Sequence, residues 1–526
     1  MNTMKLVDKI LDGRNIFNSI YCMESYVFDK GLLDEEDLRL YYALADKHNM
    51  DLIDGVIAAC RERLQWLFKD KDNLFVAKVY FKLKKYDPHE QKLSFRPMHT
   101  AKLIDLICMV SIMNCLMFDD DLDAGKRNLS DLSKLLPHNF YGNIPSTDVQ
   151  YLFHRWQTKY KEYTEAVVEH CRAYQKNHSY LTEICLDIKN FFPSISPKML
   201  YDYIISKLSR RYEDDNEALS MAVSKLLYFK IQKENVEPWK DYYYPEGTDL
   251  TGVEEYMNCG IPQGLPQSYF FGNLCMIEVK NLLMKEGLFK GDAYFYVDDS
   301  VIYIQSKLSD DEFKEKIVNL NNELKAWCER NEATPSDIDN YVGAVCLAFQ
   351  KKLTYIIKFH EEGKSVFTHI DDADNQYGPI ANISRETSMH SKLAYNLDEI
   401  DDHVSMKKLQ ALDDVISKEI KELNEKQKDG EGKGQNGDAI ASRLKLLKRF
   451  KKFFLYRSRL LKIREDGGPN EEKESFIERF QMNTGNAEEF FELFDEDIFQ
   501  SEYRLLIQKL SKKEAEAFQT QIRDFE

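Results

Sequence analysis

Ala293-Tyr-Phe-Tyr-Val-Asp-Asp-Ser-Val-Ile-Tyr-Ile304 sets two β-prone apolar runs on either side of an acidic pair, Asp298-Asp299. That pattern predicts a tight hairpin with two carboxylates at its tip. Two negative charges held between buried strands make sense where cations meet them. Other acidic runs (Asp119-Asp120-Asp121, Asp214-Asp215, Asp310-Asp311, Asp371-Asp372 and Asp401-Asp402) read more simply as solvated loop or helix-end charges. The apolar flanks set Asp298-Asp299 apart from them.

Two further segments build outward from this hairpin. Thr182-Glu-Ile-Cys-Leu-Asp187 predicts a short strand ending in an aspartate. After Ile188-Lys-Asn-Phe-Phe-Pro-Ser-Ile195, an amphipathic helix is expected through about Leu208, with Ser196 as its N-cap and Pro197 at its first position. The other segment is Asn258-Cys-Gly-Ile-Pro-Gln-Gly-Leu-Pro-Gln-Ser-Tyr-Phe-Phe-Gly-Asn273, leading into an apolar helix expected to end near Gly287. Gly260 and Gly264 let backbone approach a ligand, and Pro262 and Pro266 stiffen the loop. Gln263 and Ser268 supply neutral hydrogen-bonding groups. The loop has no Lys, so it suits the sugar and base of a nucleotide better than its phosphates.

In this order, Asp-Ile-Lys-Asn-Phe-Phe-Pro-Ser-Ile, Ile-Pro-Gln-Gly-Leu-Pro-Gln-Ser and Tyr-Val-Asp-Asp resemble the palm motifs of reverse transcriptases. Ile357-Lys-Phe-His-Glu-Glu-Gly-Lys-Ser365 is similar to the strand–turn–lysine that closes the palm. Leu93-Ser-Phe-Arg-Pro97 and Leu135-Leu-Pro-His-Asn-Phe-Tyr-Gly142 are similar to fingers segments, and the resemblance spans roughly residues 90–380. It implies an α+β right-hand polymerase with a fingers–palm core and a β-α-β-β palm. The expected organisation is a helical N-terminal region over 1–90, fingers over 91–180, palm over 181–380 with an insertion near 210–257, and an all-α C-terminal domain over 381–526. The run Tyr242-Tyr243-Tyr244 in the insertion is expected to pack on the fingers.

The same resemblance assigns roles. Asp187 and Asp298 become ligands of two Mg²⁺ ions, with the Ile188 carbonyl as a third donor and Asp299 as an accessory carboxylate. Phe192 falls where the family keeps a bulky residue against the nucleotide 2′-hydroxyl, and an aromatic ring there would favour deoxynucleotides. Gln263, with Gly264 beside it, would contact the incoming nucleotide, and Arg96 its triphosphate. Lys364 is the candidate acid for the leaving pyrophosphate. Core packing for Phe192, and an exposed hairpin position for Lys364, are the plainer readings of those two residues.

Composition bounds the function. Over 526 residues the formal charge is −17, wrong for a protein that coats nucleic acid non-specifically. The basic exception runs from Arg443 to Arg464, with ten Lys or Arg and no acid, interleaved with Phe450, Phe453, Phe454 and Tyr456. It reads equally as a nucleic-acid track, an intersubunit helix or a helix with one solvated face. The ten cysteines form no C-x-x-C pair, which points to reduced thiols and no zinc site. No signal-like or bilayer-spanning run is evident, so a soluble cytoplasmic protein is expected; Leu103–Phe118 reads as a buried helix. Asp429–Gly437 reads as a mobile glycine-rich loop.

Beyond the palm, no RNase H, maturase or retron signature is seen. Helices on both sides of the palm resemble the bacterial abortive-infection and related defence-associated reverse transcriptases. That resemblance implies antiphage defence, no conventional thumb, a helical-repeat C-terminal domain and assembly as trimers or hexamers. It also implies dNTP polymerisation, either from a protein hydroxyl without template, leaving DNA joined to a tyrosine, or on a bound non-coding RNA. Tyr21, Tyr26, Tyr41 and Tyr42 are candidate primers among thirty tyrosines. A catalytically idle palm serving as scaffold or phage sensor is the alternative from another class.

Overall fold

The computed structural model describes residues 5–23, 33–44, 47–87, 92–119, 127–176, 181–237, 240–361 and 364–370, with residues 421, 424 and 425 beyond them. The chain divides into two compact units, Met1–Ala373 and Asp374–Glu526. The expected all-α C-terminal domain, the glycine-rich stretch 429–437 and the basic stripe 443–464 lie outside the described residues.

The first unit is mixed α+β. It opens with helices α1 (Leu6–Ile10), α2 (Gly13–Cys22), α3 (Glu35–Ala43) and α4 (Met50–Lys69). Asp12, Asp34 and Asn49 cap the last three by accepting backbone N–H groups of the first turn. Helices α1, α2 and α4 gather around α5 (Leu103–Met117), which is apolar nearly all round and buried along its length as the sequence predicted. Asp105 of α5 is made tolerable inside by Arg63, whose Nε lies 2.6 Å from its carboxylate.

A helical reading of residues 1–90 fails at its end, where β1 (Phe75–Asp87) forms. Phe75, Ala77 and Val79 are buried while Val76, Lys78 and Tyr80 are not, so a period of two wins there. β1 pairs antiparallel with β2 (Lys92–Thr100), from Lys78↔Thr100 to Asp87↔Lys92. β3 (Phe118–Asp119) and β4 (Asn128–Leu129) make a small ribbon, and α6 (Trp156–Lys176) follows. Two short strands of the segment expected as an insertion near 210–257 extend the first sheet. Its β6 (Phe229–Ile231) runs parallel to β1, and β7 (Tyr256–Met257) pairs with β6, giving the order β2-β1-β6-β7.

The second sheet carries the site. Its first strand is β5 (Leu181–Leu186), followed by α7 (Phe191–Ser194), α8 (Pro197–Leu208) and α9 (Asn216–Leu227). Ser196 accepts the Met199 N–H and Pro197 occupies the first helical position, as expected. After β6 come α10 (Lys233–Val236) and α11 (Lys240–Tyr243); after β7 comes α12 (Pro266–Leu283). Then β8 (Asp292–Tyr296) and β9 (Asp299–Ile304) form a hairpin, followed by α13 (Asp310–Ala333), α14 (Ala344–Gln350) and β10 (Val366–Ile370). The order is β10-β5-β9-β8 with every neighbour antiparallel. Ile184, Leu186, Phe295 and Ile302 line one face and join α12 in a single apolar core. The opposite face is polar and aromatic and meets α6: Tyr303 donates to Glu183 (2.7 Å), Tyr294 pairs with His170 (2.9 Å), and Tyr160 stands edge-on to Tyr296. No helix among the described residues is long and apolar enough to cross a membrane.

Candidate active site

The acidic pair sits at the tip of the β8–β9 hairpin. Pairing runs from Asp292↔Tyr303 to Tyr296↔Asp299, so Val297-Asp298 is a two-residue connection and Asp299 begins β9. Val297 has φ 58°, a left-handed conformation that a β-branched residue adopts only when its surroundings enforce it. Those surroundings are residues 139–143. Phe295 donates to Asn139 O and Tyr141 donates to Phe295 O, each at 2.9 Å, so this segment runs along the outer edge of β8. Gly142 then lies against the turn: a Cβ there would stand 2.6 Å from Val297 Cγ2 and 2.8 Å from Val297 N. Asn273 of α12 donates to Gly142 O at 2.6 Å, and Asn139 donates to Ala293 O at 2.6 Å. Burial raises the Tyr296 hydroxyl pKa, with Tyr160 and then Asp299 adding to it.

Asp187 follows β5 directly. The last β5–β9 pair is Leu186↔Ser300, and one further step of that register sets Asp187 opposite Asp299. Beyond β5 the chain pairs with residues 358–360. Lys189 donates to Lys358 O (2.8 Å), His360 donates to Asp187 O (2.9 Å), and Ile188 bridges Phe359. In such a pair the residue's own N–H and C=O point away from its partner, which leaves the Ile188 carbonyl directed off this bridge. Buried Asn321 of α13 fixes Phe359 by accepting its N–H (2.9 Å) and donating to its carbonyl (3.3 Å). The strand–turn–lysine thereby brings Lys364 Nζ to 2.5 Å from Asp187 Oδ2, with His360 Nε2 at 3.5 Å from the same oxygen.

The Pro-Gln-Gly loop joins this centre to the first sheet. Asn258, fully buried, donates to Leu227 O and Gly260 O and accepts the Phe229 N–H, which anchors the loop's start. Gly260 (φ +63°) presses on Phe192, where a Cβ would come 2.3 Å from the Phe192 carbonyl. That carbonyl also accepts the Ile261 N–H at 3.0 Å. Gly264 (φ +105°) presses on β2, 2.6 Å from His99 O by the same measure. The loop therefore touches Phe192 through one glycine and His99 through the other. Ser268, read as a neutral hydrogen-bonding group of this segment, is buried and donates its hydroxyl to Pro262 O at 2.6 Å.

Phe192 is 7 % exposed and packs on Phe191 and toward Gly272 of α12, the arrangement of a core residue with one thin open edge. Arg96 is half-buried on β2, in register with Lys82 and three residues before His99. Gln263 is half-buried, and its own carbonyl is held by His99. Asp298 is half-buried and Asp299 exposed. Sequence reasoning missed the supports Gly142, Asn273, Asn321, His99 and Asn258; Gly142, Asn258 and Asn273 lay within quoted motifs but carried no assigned role, and His99 and Asn321 lay outside them.

Among the described residues, no three His, Cys, Asp or Glu side chains converge as a metal-holding group. Mg²⁺ takes one or two protein carboxylates and completes its shell with carbonyl, substrate and water oxygens, so the donor set of Asp187, Asp298, Asp299 and the Ile188 carbonyl suits it chemically. Lys364 already neutralises one Asp187 oxygen. Comparison with protein-family models and with curated proteins finds no match for this chain.

Proposed function

We propose that this chain is a Mg²⁺-dependent, reverse transcriptase-like deoxynucleotidyl transferase of the defence-associated kind, with the second sheet as its palm and the first as part of its fingers. One observation carries the reading. Asp187 at the end of β5 stands across the register from the Asp298-Asp299 hairpin, and a lysine 177 residues further on closes over it. Three sequence motifs far apart in the chain thus meet at one end of one sheet.

Asp187, Asp298 and Asp299, with the Ile188 carbonyl, would hold two Mg²⁺ ions, which supply activation of the attacking hydroxyl and neutralisation of the triphosphate. In the transfer, a hydroxyl oxygen gives up its proton to water and bonds to the α-phosphorus, and the bond from that phosphorus to the β-phosphate oxygen breaks. Lys364 would give its proton to the departing pyrophosphate. Gln263 and Phe192 flank the sugar, Phe192 against a 2′-hydroxyl, and Arg96 reaches the triphosphate from β2.

A protein hydroxyl can serve as primer only if it is accessible. Tyr21 donates its hydroxyl to Leu44 O, the Tyr41 hydroxyl is buried, and Tyr26 lies outside the described residues; Tyr42 is 61 % exposed.

The test is incubation with Mg²⁺ and each labelled dNTP, without template or primer, beside Asp298→Ala. Label migrating with the protein, resistant to prior nuclease treatment and lost in the variant, is the expected result. Synthesis only on an added primed RNA would return the enzyme to templated reverse transcription. No incorporation under either condition would leave the palm as a scaffold.

A further inference from the structure

We propose that His99 and Tyr243 form a buried clamp that sets the position of Gln263 toward the incoming nucleotide, an inference that rests on the nucleotidyl-transfer reading above. The clamp joins three stretches of chain. His99 comes from β2, Tyr243 from α11, and Gln263 from the loop before α12.

His99 holds the Gln263 carbonyl twice. Its main-chain N–H donates at 2.8 Å and its Nδ1 lies 3.0 Å from the same oxygen. A carbonyl oxygen only accepts, so the network assigns the ring proton to Nδ1 and leaves Nε2 as an acceptor. Tyr243 meets it there, donating its hydroxyl at 2.8 Å. The Tyr243 oxygen in turn accepts the Cys259 N–H at 3.3 Å, which ties in the start of the same loop. His99 and Tyr243 are 3 % and 4 % exposed, so water does not compete for these bonds. Burial also lowers the imidazole pKa to about 4, which keeps the ring in the neutral state the network requires.

Packing alone would not call for this arrangement, because an apolar pair of similar volume would fill the space. What the polar pair adds is direction. Two donors on one carbonyl fix the plane of the Gln263–Gly264 peptide, and Gly264 lies too close to His99 O for any side chain. With that plane fixed, the Cα–Cβ bond of Gln263 is aimed, while its side chain remains half-buried and reachable. His99 and Tyr243 are positioning residues: nothing places them against substrate.

Tyr243→Phe removes one hydroxyl and leaves the ring in place against Tyr244 and His99. We expect KM for a dNTP to rise about tenfold with kcat within about threefold, the size of one buried neutral hydrogen bond. His99→Leu should do at least as much. His99→Asn, which keeps a donor near the Nδ1 position, should restore most of the affinity. Circular dichroism identifies any variant that is unfolded, and the comparison is made among folded ones. An active wild type whose folded Tyr243→Phe and His99→Leu variants keep its KM would overturn the clamp alone. A wild type that incorporates no dNTP in the same assay would overturn the underlying reading, and the clamp with it.

Discussion

Lys364 Nζ lies 2.5 Å from Asp187 Oδ2, an ion pair between the end of the first strand of the second sheet and the start of its last. The lysine is half exposed and the aspartate less so, which leaves the ammonium able to exchange partners. If it protonates pyrophosphate, Lys364→Met should slow single-turnover incorporation by about 10²-fold or more. KM for the nucleotide should change little, and Mn²⁺ binding followed by paramagnetic resonance should not weaken. An unchanged rate would reduce Lys364 to a surface ion pair.

Gly142 and Val297 form a second coupled pair. Gly142→Ala drives a methyl into Val297 N and Cγ2 and should cost about 1–3 kcal/mol, an overpacking penalty. Val297→Gly removes the branched side chain at positive φ and should recover part of that loss in the double variant. Chemical denaturation of the four proteins closes the cycle. Strict additivity would show that the two do not bear on each other.

His99 makes the loop acid-sensitive. Burial lowers its pKa from the usual 6.5 to about 4, so between those values the unfolded chain binds the proton and the folded chain does not. Stability is then full above about pH 6.5 and is lost as the pH falls toward 4, by roughly 3 kcal/mol at most. His99→Gln should flatten this part of the stability–pH curve. An equal slope in wild type and variant would place the acid sensitivity elsewhere.

Lys225 is fully buried and donates from Nζ to Asp70 O (2.8 Å), Lys71 O (3.2 Å) and Asn73 O (2.6 Å). It ties the turn between α4 and β1 to α9. Lys225→Met would leave these carbonyls without their donor and should cost about 2–4 kcal/mol in a urea titration. A loss below about 1 kcal/mol would mean that water replaces the ammonium.

Phe192 tests sugar choice. Phe192→Val should raise ribonucleotide use relative to deoxynucleotide use by about tenfold, a modest steric discrimination. It will also destabilise the core, since the ring is nearly buried, so the ratio and not the absolute rate is the measurement. A constant ratio would make Phe192 a packing residue only.

Local elements were readable wherever one physical signal dominated. Two apolar runs around Asp298-Asp299 specify a hairpin, Ser196-Pro197 starts a helix, and Leu103–Met117 is apolar enough to be buried. Residues 75–87 escaped that reading because their alternation is blurred by lysines, and strand pairing over distance decided them. The same holds for β6 and β7, short runs whose place beside β1 no local pattern encodes. Within the candidate site, the chain order of Asp187, Gln263, Asp298 and Lys364 could be read from the sequence, but not the ion pair between Asp187 and Lys364.

What the sequence determined alone is therefore the kind of each element and the acids and amides it carries, since propensity, capping and patterning act within a few residues. The tertiary structure decided that Lys364 pairs with Asp187, that Ser268 turns its hydroxyl back onto the loop before α12, and that His99, backed by Tyr243, holds the Gln263 carbonyl. Those are contacts between residues far apart in the chain, and only the shared core and sheet register that bring them together can specify them.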